Sequence, residues 1–323
     1  MKRRLIVALS AVPLALAGGA VLAQSYPSKP IRWVVPYPAG GGTDFLTRTL
    51  GQQLSTQVGQ PVVVDNKPGA GTALAASEVA RSAPDGYTVM TADNGTLVFN
   101  QFLYKKLSYN PEKDLTPITL MGRFPMILVV AQGSDVKDAK DFIAKAEASP
   151  GKFSYASAGA GSPHHLAMEM LKVTAGLHMV HIPYRGAAPA LGDLVGGQVQ
   201  VMMVDMAAGS GFIKGGKVRP LAVANDQRLP QLPNVPTFAE LGYKGFEASA
   251  QVGLAGPAGL PNEVRDVLQK QVAAAIQTPA IKQKLIEFGI EPVGSTSQAY
   301  AELLQKERAR WQKVIKEQSL TLD

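Results

Sequence analysis

The chain has no cysteine. Disulfides are therefore excluded, and the fold must hold without covalent staples. Histidine is scarce as well: His164, His165, His178 and His181 are the full set. With no thiolate beside them, metal sites are few. His178 and His181 lie in a strand-like stretch, where positions i and i+3 point to opposite faces. His164-His165 lacks the Glu spacing of a zinc helix. Structural roles are expected for all four, with His165 bordering a cleft, and no metal or cofactor is expected. No Gly-x-Ser-x-Gly elbow occurs, and no Gly-x-Gly-x-x-Gly follows a strand. Gly211 to Val218 nearly spells a phosphate loop, but Val218 stands where Ser or Thr would hold magnesium. That stretch reads as a turn. Beyond the first few residues there is no clustered Lys/Arg run, so nucleic acid is not an expected partner.

Long apolar runs are also missing, except at the start. Lys2, Arg3 and Arg4 precede an apolar stretch from Leu5 to Leu22 that ends in Val21-Leu22-Ala23. This is the layout of a secretory leader, residues 1–23, with cleavage after Ala23. Pro13, Gly18 and Gly19 interrupt the run and argue against a membrane anchor. The expected location is periplasmic. The formal charge of the 323-residue chain is +7, of which the leader supplies three Lys/Arg, leaving +4. A mildly basic balance suits an anionic ligand. About 300 mature residues bury a large core and usually divide into two domains.

What remains is an alternation of short apolar runs with helical patterns. Strands are expected at 31–35, 61–64, 88–90, 127–131, 153–155, 199–204 and 221–223. Helices are expected at 45–58, 73–81, 136–148 and 164–175. Such alternation argues for parallel sheets covered by helices. The end differs: 263–277, 281–288 and 297–318 read as helices, the last opened by a Ser295-x-x-Gln298 capping box. Two crossings are inferred, near Arg123 to Val130 and near Glu247 to Ala255. They predict a discontinuous first domain, 24–125 plus 250–323, and a second, 126–249.

Three Gly-rich loops precede helices. The first is Tyr37-Pro38-Ala39-Gly40-Gly41-Gly42-Thr43-Asp44, after a strand. Exposed N–H groups of a first helical turn favour an anion, and glycines admit a ligand close to the backbone. Asp44 reads as an N-cap or first-turn acid. The second runs from Tyr155 to His165, with Ser162 as N-cap, Pro163 at the first helical position, and Ser157 as a further hydroxyl. The third is Pro183-Tyr184-Arg185-Gly186-Ala187-Ala188, where Arg185 could clamp a carboxylate. Two such loops facing across a cleft would suit a ligand with two negative ends.

In order along the chain stand Lys29-Pro30-Ile31, the Tyr-Pro-x-Gly-Gly loop, Asn66-Lys67-Pro68-Gly69-Ala70-Gly71 and Pro84-Asp85-Gly86-Tyr87-Thr88. The Ser157–Leu166 loop, Ile182-Pro183-Tyr184-Arg185-Gly186, Gly197 to Asp205 and Pro233-Asn234-Val235-Pro236-Thr237 follow. With these stretches the chain resembles the Bug family, the solute-binding components of tripartite tricarboxylate transporters. The resemblance implies an α/β, two-domain periplasmic binding protein of type II, a Venus flytrap with two mostly parallel sheets and an interdomain cleft. It implies capture of a small carboxylate, a di- or tricarboxylate or an aromatic acid, and delivery to membrane permease subunits. It implies ligand contacts from Tyr37, Ala39, Gly41, Thr43 and Asp44 on one side. On the other it implies Ser157, Gly159, Gly161, Ser162, His165, Arg185 and Asp205, with Asn94 and Asn100 reaching the cleft. No enzyme activity and a monomer are expected. Two alternatives stay open: a sensor input to a membrane kinase, and a hydrolase built on Ser157 or Ser162 with His165.

Overall fold

A computed structural model describes residues 26–317 and 319–322. The expected leader at 1–23 lies outside the described residues. Among the described residues, no helix is long and apolar enough to cross a membrane.

The chain opens with β1 (Ile31–Val35), α1 (Gly42–Val58), β2 (Val62–Asn66), α2 (Ala73–Ala80) and β3 (Thr88–Asp93). β1 pairs in parallel with β2 on one side and β3 on the other. Val34, Val35 and Trp33 have no exposed surface, as expected of an inner parallel strand covered on both faces. α1 carries Leu46, Leu50 and Leu54 one helical turn apart, all 0–1% exposed. Each such burial is worth about 1.5–3 kcal/mol. The helix stops at Gly59, whose φ of 67° is the left-handed conformation glycine adopts without strain. It also begins at Gly42, three residues earlier than the apolar period suggests.

A helical segment at 95–99 runs into α3 (Asn100–Leu103). Then comes β4 (Leu115–Ala131), the longest strand. Sequence periodicity reveals only its second half, because Pro117, Gly122 and Pro125 punctuate the first. α4 (Ala139–Ala148), β5 (Ser154–Ser157), α5 (Pro163–Thr174), β6 (Val180–Pro183), α6 (Ala187–Val195), β7 (Val201–Asp205), α7 (Met206–Lys214) and β8 (Val218–Val223) follow. α4 starts later than expected, because Asp138 caps it by accepting from the Asp141 N–H at 2.9 Å. β5 is parallel to both β6 and β7. The near phosphate loop is the end of α7, the Gly215-Gly216 turn and the start of β8.

β9 (Ser249–Pro257), α8 (Asn262–Gln277), α9 (Pro279–Glu287), β10 (Glu291–Pro292) and α10 (Ser297–Glu317) complete the order. The capping box is displaced by one residue: Thr296 Oγ1 accepts from the Ala299 N–H at 3.1 Å. Ser295 instead accepts from the Leu120 N–H with its hydroxyl.

β4 joins two sheets. Residues 115–125 pair with β9, and residues 126–131 with β7 and β8, all antiparallel. The first sheet is ordered β2-β1-β3-β9-β4, with β10 also on β4, and the second continues β4-β7-β5-β6. Each has a three-strand parallel core, to which the crossing strands add antiparallel ladders. The return crossing lies beside the outward one: Met126 N–H donates to Ala248 O at 3.1 Å, and Ala248 N–H to Ala224 O at 3.0 Å.

Candidate functional site

In the parallel cores, the loops that matter leave the carboxyl ends of strands, where open α/β sheets bind ligands. β1 leads into α1, β5 into α5, β6 into α6, and β7 passes without a loop into α7. The first residues of all four helices meet around one pocket, lined among others by Tyr37, Thr43, Asp93, Phe124, His164 and Asp205. Its room for water-sized groups is about 50 Å³.

The four helix starts are not equivalent. Ser162 Oγ accepts from the His165 N–H at 3.3 Å, and Asp205 Oδ1 from the Ala208 N–H at 2.8 Å, so α5 and α7 are capped. α1 and α6 have glycines, Gly41 and Gly186, at the cap position and no side-chain cap. Their first-turn N–H groups are left for a ligand. One helix belongs to each sheet, so two positive helix ends look into the pocket from opposite walls. Each favours an anion by about 0.3–1 kcal/mol, rising to about 2 where partly buried.

No Lys or Arg lines this pocket among the described residues. Its two acids are internally occupied. Asp93 Oδ2 accepts from the Tyr37 hydroxyl at 2.6 Å, and Oδ1 from the Thr96 N–H and hydroxyl at 2.9 Å each. Burial and the neighbouring Asp93 push the Tyr37 phenol well above its usual range, which keeps it a neutral donor. Asp205 Oδ2 is 2.8 Å from His164 Nε2.

The walls touch. A Cβ on Gly42 would stand 2.7 Å from Ala207 Cβ, and one on Gly186 would stand 3.3 Å from the Pro38 ring. Glycine at these positions lets the backbones approach.

Of the expected site residues, Tyr37, Ala39, Gly41, Thr43 and Asp205 come together on this pocket. Gly159 and Arg185 line a cavity at its rim, together with Tyr37, Pro38 and Gly186. Arg185 is exposed there. Asp44 sits behind the first loop, accepting from Gly40 N–H and Asn66 Nδ2 at 2.9 Å and from Arg48 Nε at 3.0 Å. Burial works against its charge, but these bonds outweigh it and hold the carboxyl below its usual range. Asn94 ties β3 to β9 through Ser249 O and the Gln251 N–H, beside a separate cavity that contains Arg123 and Arg310. Asn100 donates to Gly71 O at 2.7 Å and to Tyr109 at 3.2 Å.

Ser157, Gly161, Ser162 and His165 support the second loop from behind. Ser157 Oγ lies 2.7 Å from His181 Nε2, and the Gly161 N–H donates to His165 Nδ1 at 3.2 Å. The His165 and His181 rings stack at 3.9 Å. Burial pushes their pKa values down to about 4 and about 3. Tyr155 and Lys172 both bond Glu169 beside them. Of the two serines of the hydrolase alternative, Ser157 pairs with His181, not His165, and is fully buried, while Ser162 caps α5 by accepting from the His165 N–H. Neither lines the pocket. The pocket histidine is His164 rather than His165: on α5, successive positions are about 100° apart, so only one of the two faces the lining. Asp93, in the strand-end segment 93–96 that the resemblance places at the cleft, does line the pocket, whereas the pocket positions of His164 and Phe124 escaped the sequence reading, because no local pattern ties residues so far apart in the chain.

Across residues 46–320 the chain matches the family described as Tripartite tricarboxylate transporter family receptor. It is 37% identical over 316 residues to the UPF0065 protein in the tcbD-tcbE intergenic region of Pseudomonas sp. (strain P51), covering 97% of this chain and 94% of that protein. Among solved structures it is similar to Rhodopseudomonas palustris Rpa4515 with adipate, at TM-score 0.89 and 34% identity, covering 92% of this chain and all of that one. MatC (Rpa3494) of Rhodopseudomonas palustris, with bound malate, gives TM-score 0.85 and 32% identity, covering 90% of this chain and all of that one. The fold is the two-domain α/β fold of periplasmic binding proteins.

Proposed function

We infer the function from one premise: this chain belongs to the tripartite tricarboxylate transporter receptor family, whose members are periplasmic solute-binding proteins and not enzymes. We propose that the protein captures a small carboxylate in the cleft between two domains, 24–125 plus 250–323 and 126–249. The observation that carries this reading is the pair of uncapped helix starts, α1 and α6, on opposite walls of one pocket. A ligand with two anionic or polar ends would meet one on each side, with Arg185 at the rim. The carboxylates held by the two similar Rhodopseudomonas proteins, adipate and malate, support the same chemistry. The domain assignment is supported by β4, which changes sheets at Pro125–Met126, and by the adjacent return at Ala248. Two neighbouring crossings of this kind suit a hinge. Export by cleavage of the 1–23 leader and delivery of the ligand to membrane permease subunits complete the proposal.

The test is a thermal-shift and calorimetric screen of the exported protein against aliphatic and aromatic mono-, di- and tricarboxylates. A ligand at 100 times its Kd stabilises the native state by about 2.7 kcal/mol, so a concentration-dependent rise in Tm is expected for one chemical group. Silence across the panel from protein stripped of co-purified ligand would overturn the reading.

A further inference from the structure

A second cavity stands back to back with the pocket across the crossing strands. Where β4 pairs with β9, Phe124 is opposite Ala250, and both line the pocket. Their neighbours, Arg123 opposite Gln251 and Pro125 opposite Ser249, fall on the other face of the pleat. Arg123, Gln251 and Ser249 line the cavity there. The end of β3 repeats the division, Asp93 lining the pocket and Asn94 the cavity. The cavity has room for about 430 Å³ of water-sized groups, against about 50 Å³ in the pocket. Small-molecule sites run to about 300–1,000 Å³.

One wall is the loop after β8, with Asn225 and Asp226, and the approach to β9, with Glu247. The other is β10 and α10, with Glu291, Glu307 and Arg310. Each of the two arginines faces an acid. Arg310 Nη1 lies 3.9 Å from Glu307 Oε1, and its Nη2 donates to Glu247 O at 3.2 Å. Burial raises the Glu291 carboxyl above its usual range, Arg123 works against that rise, and Asp226 adds to it. Asp226 and Glu247 are left over: among the described residues neither carboxylate forms an ion pair. Gln251, 8% exposed, has an Oε1 with no hydrogen-bond partner. The terminal torsion of an amide side chain is soft, so a small rotation turns this acceptor to an occupant. The cavity thus holds two unpaired negative charges and an unused acceptor. Among the described residues no cluster of acids is placed to hold a metal ion. The matching occupant therefore carries its charges apart, as two ammonium groups on a short chain do.

The placement couples the two sites. The pocket and the cavity lie on opposite faces of the strands about which the walls would part. Swinging the walls apart at the pocket draws the cavity's own walls together. An occupant that fills the cavity while the pocket's walls touch favours that arrangement. We propose that this cavity is a second binding site, for a small organic dication, and that its occupation tightens carboxylate binding in the pocket. The coupling rests on the carboxylate-capture reading; the second site does not.

The probe is 1,4-diaminobutane, with butylamine and sodium chloride at matched ionic strength as controls. In thermal unfolding without carboxylate, the diamine should raise Tm with concentration and the controls should not. In calorimetry with the tightest carboxylate, the diamine should lower Kd about fivefold or more. The double variant Asp226→Asn, Glu247→Gln changes two exposed side chains and should fold. It should keep the carboxylate Kd within about twofold in the absence of diamine and lose both diamine effects. No rise in Tm, an equal effect from butylamine or salt, or effects that survive in the double variant each overturn the site. A rise in Tm with an unchanged carboxylate Kd overturns the coupling. If no carboxylate binds at all, the capture reading fails, and the Tm series still decides the second site.

Discussion

Gly42→Ala should separate binding from stability. Gly42 is the first residue of α1, in ordinary helical backbone, so alanine meets no conformational objection there. Its new Cβ would lie 2.7 Å from Ala207 Cβ, 3.2 Å from Asp205 Oδ1 and 3.3 Å from the Phe124 ring. Carbon atoms in contact prefer about 3.5–4.0 Å, so the walls must part by roughly 1 Å. The obstructing atoms are a short side chain, a capping carboxylate and a buried ring, none of them a flexible tip. Overpacking of this kind costs about 1–3 kcal/mol. The cost falls on the state in which the walls touch and not on one in which Gly42 faces water. Ligand affinity should therefore drop roughly 5- to 150-fold, at 1.4 kcal/mol per factor of ten. The ligand-free protein should keep its Tm or lose little. Calorimetry with the tightest carboxylate, beside thermal unfolding without ligand, reads both. Gly192→Ala is the control: that glycine lies on the exposed face of α6 with nothing within 4 Å of the new Cβ. It should gain up to about 1 kcal/mol of stability from helix propensity at unchanged affinity. Wild-type affinity in Gly42→Ala with an intact Tm would refute contact between the walls in the bound state.

Two further outcomes follow from the groups behind the second loop. His165 and His181 have folded pKa values near 4 and near 3 against an ordinary 6.5, so below pH 6.5 the unfolded chain binds more protons than the native one. Stability should be full above about pH 6.5 and fall as the pH drops toward 4, by up to about 1.4 kcal/mol per pH unit for each ring. Urea unfolding at several pH values measures it, and an equally steep fall in a His165→Asn, His181→Asn double variant would assign the effect elsewhere. Ser157→Ala removes the partner of His181 Nε2 inside a fully buried site, and should cost about 1–3 kcal/mol of stability with ligand affinity within about threefold. Stability unchanged with affinity lost would make Ser157 a direct ligand contact.

What could be read from the sequence was whatever is local. Leu46, Leu50 and Leu54 give α1 its period, Ser162-Pro163 announces α5, and the Gly-rich run after β1 announces a loop that lines the pocket. The alternation of strands and helices gives the α/β class. The failures share a cause. β4 is buried along nearly its whole length as the strand common to both sheets, and Pro117, Gly122 and Pro125 mask it because a central strand with its own bulges need not look periodic. Asp205 was expected at the ligand, but its work as cap of α7 and partner of His164 depends on a residue 41 positions away.

The same limit applies to the residues behind the loops. The family resemblance implies ligand contacts from Asp44, Ser157, Ser162 and His165. Hydrogen bonding gives each of them a second task, because each also shapes its own loop. The anion-binding capacity of the pocket rests instead on positions with no polar side chain at all, Gly41 and Gly186, whose lack of a cap leaves backbone N–H groups open. Glycine at a helix start is ordinarily a modest cap with little to say. It becomes a signal here only once folding sets two such starts on opposite walls, with capped α5 and α7 beside them for contrast.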